Sequence, residues 1–450
     1  MPRPSTAVSA PGKVLLAGGY LVLDRQYTGL VFGLSARINV VAQEIETSQG
    51  VQLTEIVVDS PQFLDAQWRY GYRLAPDDGG IHLTQLQVGS DISPNPFVET
   101  TLAYALTYIT ATTPHAASRT LAPVRLTILA DNDYYSQPHD AAPAAGRFAK
   151  FPTRLRDAHK TGLGSSAALV TALAAALLAH YLPPGTFDLG AAAGRRALHN
   201  LAQAAHCAAQ GKVGSGFDVA AAVYGSCRYR RFSPAVLAGV PEPGRPGFAA
   251  ALAALVRSDA WDAEVDRGDD AAAGRGPVRL PPGVALRMCD VDCGSQTVGM
   301  VKQVLAWRAA DPAASRALWD ELQARNEELA AALGGAAGDA AVAAALARAR
   351  GLVRAMGAAS GVPIEPPSQT ALLDALAAGV PGVLGGVVPG AGGFDALALL
   401  VRDDGAVEAR LRNFLAAWGA EHDARVRLLE VRGETEGARR EDPAAYEGWV

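Results

Sequence analysis

Residues 162–167 read Gly-Leu-Gly-Ser-Ser-Ala and lead directly into an alanine-rich apolar run that extends to about Tyr181. Such a run predicts a helix, whose first N–H groups and positive dipole end would face the loop. This arrangement favours binding of an anion such as a phosphate, and the hydroxyl of Ser165 or Ser166 could hold Mg²⁺. The alternative is simple helix capping by Ser165. A cap requires neither the two glycines nor the second serine.

Two common phosphate-binding patterns do not fit this loop. The dinucleotide pattern G-x-G-x-x-G/A needs a buried strand before it, whereas residues 153–160 (TRLRDAHK) are too polar for one. The Walker pattern needs Ser or Thr after a Gly-Lys pair, but Val14 and Val213 follow the pairs in PGKV and QGKV. The loop therefore matches neither of these two phosphate-binding patterns.

Two further glycine-rich stretches accompany it. In KVGSGFDVAAAVYGS, Asp218 follows a Gly-Ser-Gly turn and opens an apolar helix. It is either a carboxylate beside a reacting group or a helix cap. In GVVPGAGGFDALALL, Gly390, Gly392 and Gly393 permit very close backbone approach, although a tight turn would use the same residues.

Composition excludes several classes of protein. The net charge of −5 argues against a basic surface for nucleic acid, and no apolar stretch is long enough to span a bilayer. The N-terminus lacks a secretory layout, so we expect a cytoplasmic enzyme with free, buried thiols. The cysteines are Cys207, Cys227, Cys289 and Cys293.

Lysines are rare in this chain, because arginine supplies most of the 40 basic residues. A tight phosphate site can require the compact charge of lysine, although the bias could equally be genomic. Four of the five lysines fall in or beside the motifs. They are Lys13, Lys150, Lys160 and Lys212, and the fifth is Lys302.

The periodicity of the chain predicts strands interleaved with helices, and hence an α+β or α/β protein. Residues 241–280 read as a linker with a flexible insert near 264–276, and the tail 433–450 reads as a surface extension. Strands are predicted within 5–60, 124–137, 284–297 and 424–431 and at the end of 214–232. Helices are predicted over 95–109, 167–181, 189–210, 298–310, 312–333, 338–359, 368–378 and 405–419.

Three glycine-containing motifs, taken in chain order, resemble those of the GHMP kinases. The first reads APGKVLLAGGYLVLD (10–24), the second DAHKTGLGSSAAL (157–169) and the third PGAGGFDAL (389–397). Within that superfamily, the chain is similar over nearly its whole length to the fungal and plant phosphomevalonate kinase family. The stretches that carry this closer similarity lie at 95–109, 131–137, 210–232, 290–307 and 364–376.

The resemblance implies transfer of the γ-phosphate of ATP to the small molecule 5-phosphomevalonate, with Mg²⁺ as cofactor. It also implies a two-domain α+β fold with the nucleotide between the domains. We expect an N-terminal domain at 1–235, a linker at 236–283 and a ferredoxin-like C-terminal domain at 284–450. Neither nucleic acid nor a membrane is an expected partner, and the protein is expected to be a monomer or homodimer.

The resemblance also assigns roles to individual residues. Lys13, expected in the turn after the first strand, and Asp218 match the catalytic pair, and Ser166 matches the metal ligand. The acceptor phosphate is largely a dianion because its second pKa is about 6, so Asp218 is expected to orient groups rather than remove a proton. Expected nucleotide contacts are Lys160, Gly162, Leu163, Gly164, Ser165, Ser166, Ala167, Ala168, Asn132 and Tyr135, with purine stacking on the tyrosines of 131–137. Expected acceptor contacts are Lys13, Lys150, Lys212, Ser215, Ser295, Thr297 and Gly392.

One expected feature is missing. A superfamily glutamate often completes the metal site from the helix before the Asp motif, but residues 202–212 contain no acidic residue. His206 lies nearest, and a lone helical histidine is more often packed in a core than bound to a metal. The second metal ligand stays open. The competing functions are another GHMP kinase, such as a mevalonate kinase, and an inactive GHMP-fold sensor, which the presence of Lys13, Ser166 and Asp218 disfavours.

Overall fold

The structure is a computed structural model that describes most of the chain. Of the helices in this described part, none has the length and apolar character needed to cross a membrane. The described residues are 3–48, 54–86, 93–113, 121–136, 146–268, 278–292, 299–335 and 337–450.

The helices fall close to the positions that the apolar periodicity predicts. Asn95 caps the first of them by accepting a hydrogen bond from the amide of Val98 (3.3 Å), and Gly211 ends the third in a left-handed conformation. The helices are α1 (Pro96–Thr112), α2 (Ser165–Tyr181), α3 (Ala192–Gln210), α4 (Phe217–Tyr224), α5 (Phe248–Arg257), α6 (Met300–Ala310), α7 (Pro312–Gly334), α8 (Asp339–Ser360), α9 (Pro367–Gly379) and α10 (Gly405–His422).

The described strands form one mixed sheet, in which most neighbouring pairs are antiparallel. Its longest members belong to the first 44 residues, where β-branched and other apolar residues dominate. The strands are β1 (Thr6–Ala17), β2 (Gly29–Glu44), β3 (Glu55–Asp59), β4 (Gln67–Leu74), β5 (Ile81–Gln85), β6 (Val124–Ala130), β7 (Cys227–Arg230), β8 (Glu264–Asp266), β9 (Val284–Asp292), β10 (Val383–Val387), β11 (Ala396–Arg402), β12 (Arg425–Glu434) and β13 (Arg439–Glu441).

The C-terminal part has the predicted ferredoxin-like arrangement. Its strands lie side by side in the order β12-β9-β11-β10, and each adjacent pair is antiparallel. Helices α6 to α9 connect β9 with β10, and α10 connects β11 with β12. This is a βαββαβ pattern with an enlarged first helical connection, so the predicted α+β fold is confirmed.

Helix α2 is the centre of the N-terminal part. It packs against β1 and β2 on one side and against α1, α3 and α4 on the others. Its alanines, among them Ala172 and Ala175, are fully buried. A helix surrounded in this way needs small side chains, because they let backbone elements approach closely on every side. The same composition therefore fixes the position of the loop that precedes α2.

Strand β12 joins the two parts of the sheet. It pairs with β9 along most of its length, and then with β2 through Gly433–Leu34 and Glu434–Gly33. The division of the chain at 235 and 284 stays a prediction. The described residues of the expected linker include helix α5, whose buried Phe248 packs edge-on against Tyr104.

The prediction that the tail 433–450 is a surface extension is wrong. Strand β13 pairs with β1, and the fully buried Tyr446 donates a hydrogen bond to Asn39 (2.9 Å). The tail also covers Arg37, whose guanidinium forms an ion pair with Glu434 at 3.2 Å. Burial lowers the pKa of Arg37, and the neighbouring carboxylates oppose this shift. The C-terminal segment is therefore part of the N-terminal core.

The cysteine prediction holds for the residues that can be checked. Cys207, Cys227 and Cys289 are buried free thiols. Burial raises the pKa of Cys227 and of Cys289 to about 12, so both thiols stay protonated at neutral pH. Cys293 and most of the 264–276 insert lie outside the described residues.

Candidate active site

The loop before α2 is built to bind an anion. Gly162 and Gly164 have positive φ angles of 74° and 81°, which other residues adopt at a cost. Gly164 is the N-cap of α2, and no side chain caps the helix. The alternative in which Ser165 caps the helix is therefore wrong. The first N–H groups of this 17-residue helix lack partners within the helix. They point away from its N-terminal end, where the helix dipole is positive.

Lys13 lies within β1, where we had expected the turn after the first strand. A register shift at Pro11 and Gly12 turns the strand, and the amide of Lys13 then donates to the carbonyl of Leu163 (2.9 Å). The side chain of Lys13 runs along Gly164, where an added Cβ would lie 2.7 Å from its Cε. Burial lowers the pKa of Lys13, and Asp218 opposes this shift. The first two motifs are thus locked together around this ammonium group.

Asp218 lies in the first turn of α4. The N-cap of this helix is Gly216, and one oxygen of Asp218 accepts from the adjacent Val219 amide at 3.0 Å. The helix-cap alternative is therefore wrong for Asp218 as well. The Asp218 side chain is 22% exposed, and its negative charge raises the pKa of Lys13 against the effect of burial. Beside them, the Lys13 ammonium lies 5.5 Å from the ring centroid of Phe217.

His206 joins the second motif to Asp218. Its Nε2 lies 3.2 Å from Oγ of Ser166 and 3.9 Å from a carboxylate oxygen of Asp218. The amide nitrogen of Gln210 also lies 3.2 Å from Nε2. Burial lowers the pKa of His206, Asp218 opposes the shift, and Lys212 adds to it. From the sequence, His206 was expected to be a packed core residue, so these contacts were missed. It was nevertheless the residue nearest the expected glutamate.

The third glycine loop closes against the first motif. The amide of Gly390 donates to a carbonyl of β1, and the hydroxyl of Tyr20 donates to the carbonyl of Ala391 at 2.6 Å. Gly392 has a φ of 85°, and an added Cβ would lie 2.2 Å from the carbonyl oxygen of Ile364. The very close backbone approach that the sequence predicts is therefore confirmed at Gly392. All three motifs meet at β1.

The segment 132–136 lies beside the loop, but its tyrosines are not free to stack on a base. Tyr134 and Tyr135 are 1% and 6% exposed, and Tyr135 packs edge-on against Phe63. The stacking expectation is therefore wrong. Tyr135 pairs through its backbone with Lys160, which is exposed. Asn132 donates to the carbonyl of Gly146 (3.0 Å), while its Oδ1 is buried with no partner in the described chain.

The expected acceptor-binding residues lie in different places. Lys212 is close enough to His206 to influence its pKa, and the carbonyl of Ser215 accepts from Tyr229 at 2.8 Å. Lys150 lies 6.0 Å from the ring centroid of Trp449, in the docked C-terminal tail. Lys212 and Ser215 therefore flank the segment that leads to Asp218. Ser295 and Thr297 lie outside the described residues.

Known proteins resemble this chain over its whole length. The protein-family model for the GHMP kinases N terminal domain matches residues 151–226. The chain is 63% identical to the phosphomevalonate kinase of Gibberella zeae over 449 residues, which cover 100% of this chain and 99% of that protein. It is 45% identical to the phosphomevalonate kinase of Aspergillus fumigatus over 501 residues, with the same coverage of both chains.

A solved structure shares the fold. The Streptococcus pneumoniae phosphomevalonate kinase in complex with phosphomevalonate and AMPPNP superposes with a TM-score of 0.62 at 18% identity. The match covers 95% of this chain and 99% of the bacterial one. The arrangement of strands and helices described above is thus found in an enzyme crystallised with a nucleotide analogue and a phosphorylated acceptor.

Proposed function

The chain belongs to the phosphomevalonate kinases of the GHMP kinase superfamily, and from this premise we propose that it phosphorylates (R)-5-phosphomevalonate. It transfers the γ-phosphate of ATP to the acceptor phosphate and releases (R)-5-diphosphomevalonate and ADP, a step of the mevalonate pathway to isoprenoids and sterols. The observation that carries this proposal is the meeting of the three glycine motifs at β1, where the amide of Lys13 donates to Leu163 and the charge of Asp218 acts on the Lys13 ammonium.

The loop Gly162–Ala168 binds the phosphates of ATP in this proposal. Its support is the uncapped start of α2, where free amides and the helix dipole favour a polyanion. Lys160, at the edge of the same loop, adds a positive charge. The buried Oδ1 of Asn132, which has no partner among the described residues, supports placing the nucleotide base near 132–136, because an adenine amino group could donate to it.

Lys13 places a positive charge where negative charge develops on the phosphoryl group during transfer. The reaction has little covalent chemistry for a protein to assist, so rate enhancement comes from positioning and charge neutralisation. Asp218 orients the Lys13 ammonium and favours its charged form, because the carboxylate raises the Lys13 pKa against the larger lowering by burial. The acceptor phosphate is already largely ionised at neutral pH, so no general base is required.

The donor atoms at the site fit Mg²⁺, which prefers oxygen ligands. The Ser166 hydroxyl and the Asp218 carboxylate both lie around Nε2 of His206 and would hold the ion together with the ATP phosphates. When bound, Mg²⁺ would neutralise phosphate charge and polarise the phosphoryl group.

The phosphate of the acceptor is largely doubly charged, so its binding site needs cations and hydroxyls. Lys13, Lys212 and Ser215 meet this need from the described chain. Gly392 stays a proposed contact through its backbone, and its missing Cβ makes room for Ile364. Ser295 and Thr297 remain proposed contacts. Lys150 is the weakest member of the set, because its ammonium lies near Trp449 in the docked tail.

The test is a coupled ADP-release assay with 5-phosphomevalonate and mevalonate compared under identical conditions. We expect turnover with 5-phosphomevalonate and at least a 100-fold lower kcat/KM with mevalonate, corresponding to about 2.7 kcal/mol of discrimination. Equal turnover of the two acceptors would favour a mevalonate kinase. Absence of turnover with both, despite ATP binding, would favour the inactive sensor.

The proposal also covers the setting of the enzyme. A small acceptor and ATP suffice for the reaction, and we propose a cytoplasmic monomer or homodimer. Cell fractionation tests the compartment, and sedimentation at micromolar concentration tests the assembly state.

A further inference from the structure

The buried histidine on α3 is the strongest candidate for a role that has not been assigned. His206 is 2% exposed, and within the described part of the chain its polar contacts all involve Nε2. Two of these contacts go to residues already placed at the reaction centre, namely Ser166 and Asp218. Its ring also packs against Phe97, with 5.7 Å between centroids, so the imidazole is held on two sides.

The other buried histidines in the described helices differ in this respect. Among the described residues, neither ring nitrogen of His180 has a hydrogen-bond partner, and nor has Nε2 of His199, whose Nδ1 lies 3.4 Å from Oδ1 of the adjacent Asn200. These two rings fill space among apolar and aromatic neighbours. His199 lies on the same helix as His206, two turns earlier, and is equally buried. Burial on α3 alone therefore does not account for the polar contacts of His206.

Gln210 and Ser166 both lie within hydrogen-bonding distance of the same ring nitrogen. The side-chain amide of Gln210, one helical turn further along α3, lies 3.2 Å from Nε2 of His206. The Ser166 hydroxyl also lies 3.2 Å from Nε2, and a hydroxyl can either donate to an imidazole nitrogen or accept from it. In either tautomer, Nε2 therefore has Ser166 as a partner and restricts the direction of its hydroxyl.

We propose that His206 is a positioning residue for phosphoryl transfer, and that its Nε2 orients the Ser166 hydroxyl and limits the movement of the Asp218 side chain. The role rests on the proposed function, because it matters only if Ser166 and Asp218 act on ATP and Lys13. It does not make His206 a ligand or a proton carrier. Partners of this kind, which orient groups that touch the substrate, typically contribute 10- to 100-fold to affinity or activity.

Two isosteric substitutions test the position of the nitrogen. Gln can place its terminal amide where Nε2 lies, whereas the shorter Asn reaches only the position of Nδ1. We expect His206→Gln to stay within about 5-fold of the native kcat and nucleotide Kd. We expect His206→Asn to lose about 10- to 100-fold in kcat and to bind the ATP analogue AMPPNP more weakly. The KM for 5-phosphomevalonate should change less than either quantity.

The matched control is the same pair of changes at His199, which lies outside the site. His199→Gln and His199→Asn should lower the melting temperature but leave kcat and nucleotide Kd within about 2-fold of native values. His206→Phe, which keeps the packing against Phe97, should behave like His206→Asn. Melting temperatures of all variants identify any that fail to fold. The Gln and Asn variants retain a polar side chain, so the comparison between them decides the outcome.

Several outcomes would overturn the proposal. Equal activity of His206→Gln and His206→Asn would show that the position of the nitrogen does not matter. Loss of activity in the His199 variants of the same size would indicate damage to α3 alone. Calorimetric binding of AMPPNP is measured without acceptor, so a native protein that binds nucleotide but does not phosphorylate 5-phosphomevalonate would refute the proposed function and still leave the His206 comparison readable.

Discussion

Replacing Gly164 with alanine should displace the catalytic lysine. An added Cβ at this position would lie 2.7, 2.9 and 3.2 Å from Cε, Cγ and Cδ of Lys13. Carbon atoms in contact prefer about 3.5–4.0 Å, so the lysine stem has to move by about 1 Å. A misplacement of this size in a reacting constellation costs on the order of 100-fold in rate. We therefore expect kcat to fall about 100-fold, with a smaller change in the KM for ATP.

The control for this change is Gly162→Ala in the same loop. Both glycines have positive φ angles, 81° at Gly164 and 74° at Gly162, so alanine costs about 1–2 kcal/mol of backbone strain at either position. At Gly162, however, an added Cβ would lie more than 4 Å from every other described residue that it could meet. The two variants should lose similar stability, measured by urea unfolding, while Gly164→Ala loses at least 10-fold more kcat. If both lose turnover equally, the loss comes from strain in the phosphate loop and the argument about Lys13 is wrong.

Three further predictions concern the carboxylate, the tail and the buried histidines. Asp218→Asn should lower kcat by about 10- to 1,000-fold and leave the shape of the pH–rate profile unchanged; loss of the acidic limb would instead identify Asp218 as a general base. Tyr446→Ala should lower the free energy of unfolding by about 3–5 kcal/mol, because a fully buried ring is removed. Tyr446→Phe, which loses only the hydrogen bond to Asn39, should cost about 1 kcal/mol, and equal melting of both variants with the native protein would show that the tail does not contribute to the core. Burial lowers the pKa of His180 and of His199 to about 4, so the unfolded chain binds more protons than the folded one between pH 4 and 6.5. The free energy of unfolding should therefore fall as pH drops below 6.5, by up to about 1.4 kcal/mol per pH unit for each histidine. His199→Leu should remove up to about this much of the slope in urea titrations, and an unchanged slope would contradict the burial argument.

The helices could be predicted because each has a local signal. Asn95 and Pro96 mark the start of α1, and Gly211 marks the end of α3, so the apolar period needed no tertiary information. Helix α5 was missed because it has only ten residues between two proline- and glycine-rich stretches, although seven of the ten are alanine or leucine. Its stability comes from packing against α1 and α3, which the sequence does not display.

The docked tail could not be predicted for a different reason. Strand β13 has three residues, Arg439–Glu441, and all three are charged, so it lacks the alternation of a half-buried strand. Its pairing with Ala7–Ser9 joins positions more than 400 residues apart. The charged side chains have partners there, since Ser9 donates to Glu441 at 2.6 Å. Pairing at that separation is visible only in the folded chain.

The candidate site was predictable wherever a motif carried it. Gly164, Ser166 and Asp218 lie where the loops and helix starts predicted them. The location of Lys13 was less accurate, because a register shift lets β1 continue through Pro11 and Gly12. His206 carried a signal that could have been used. It lies one helical turn before Gln210, the last residue of α3, and therefore on the same helix face. That end of the helix leads directly into the motif that contains Asp218.

The pairing of β13 with β1 has a consequence for how the protein is made. During translation the first strand leaves the ribosome more than 400 residues before its partner, so one edge of the N-terminal sheet stays open for most of synthesis. An unpaired strand edge is a template for wrong pairing with another chain. The nascent protein is thus exposed to wrong pairing at this edge until Arg439–Glu441 emerge, and a truncation before Arg439 would leave the edge uncovered.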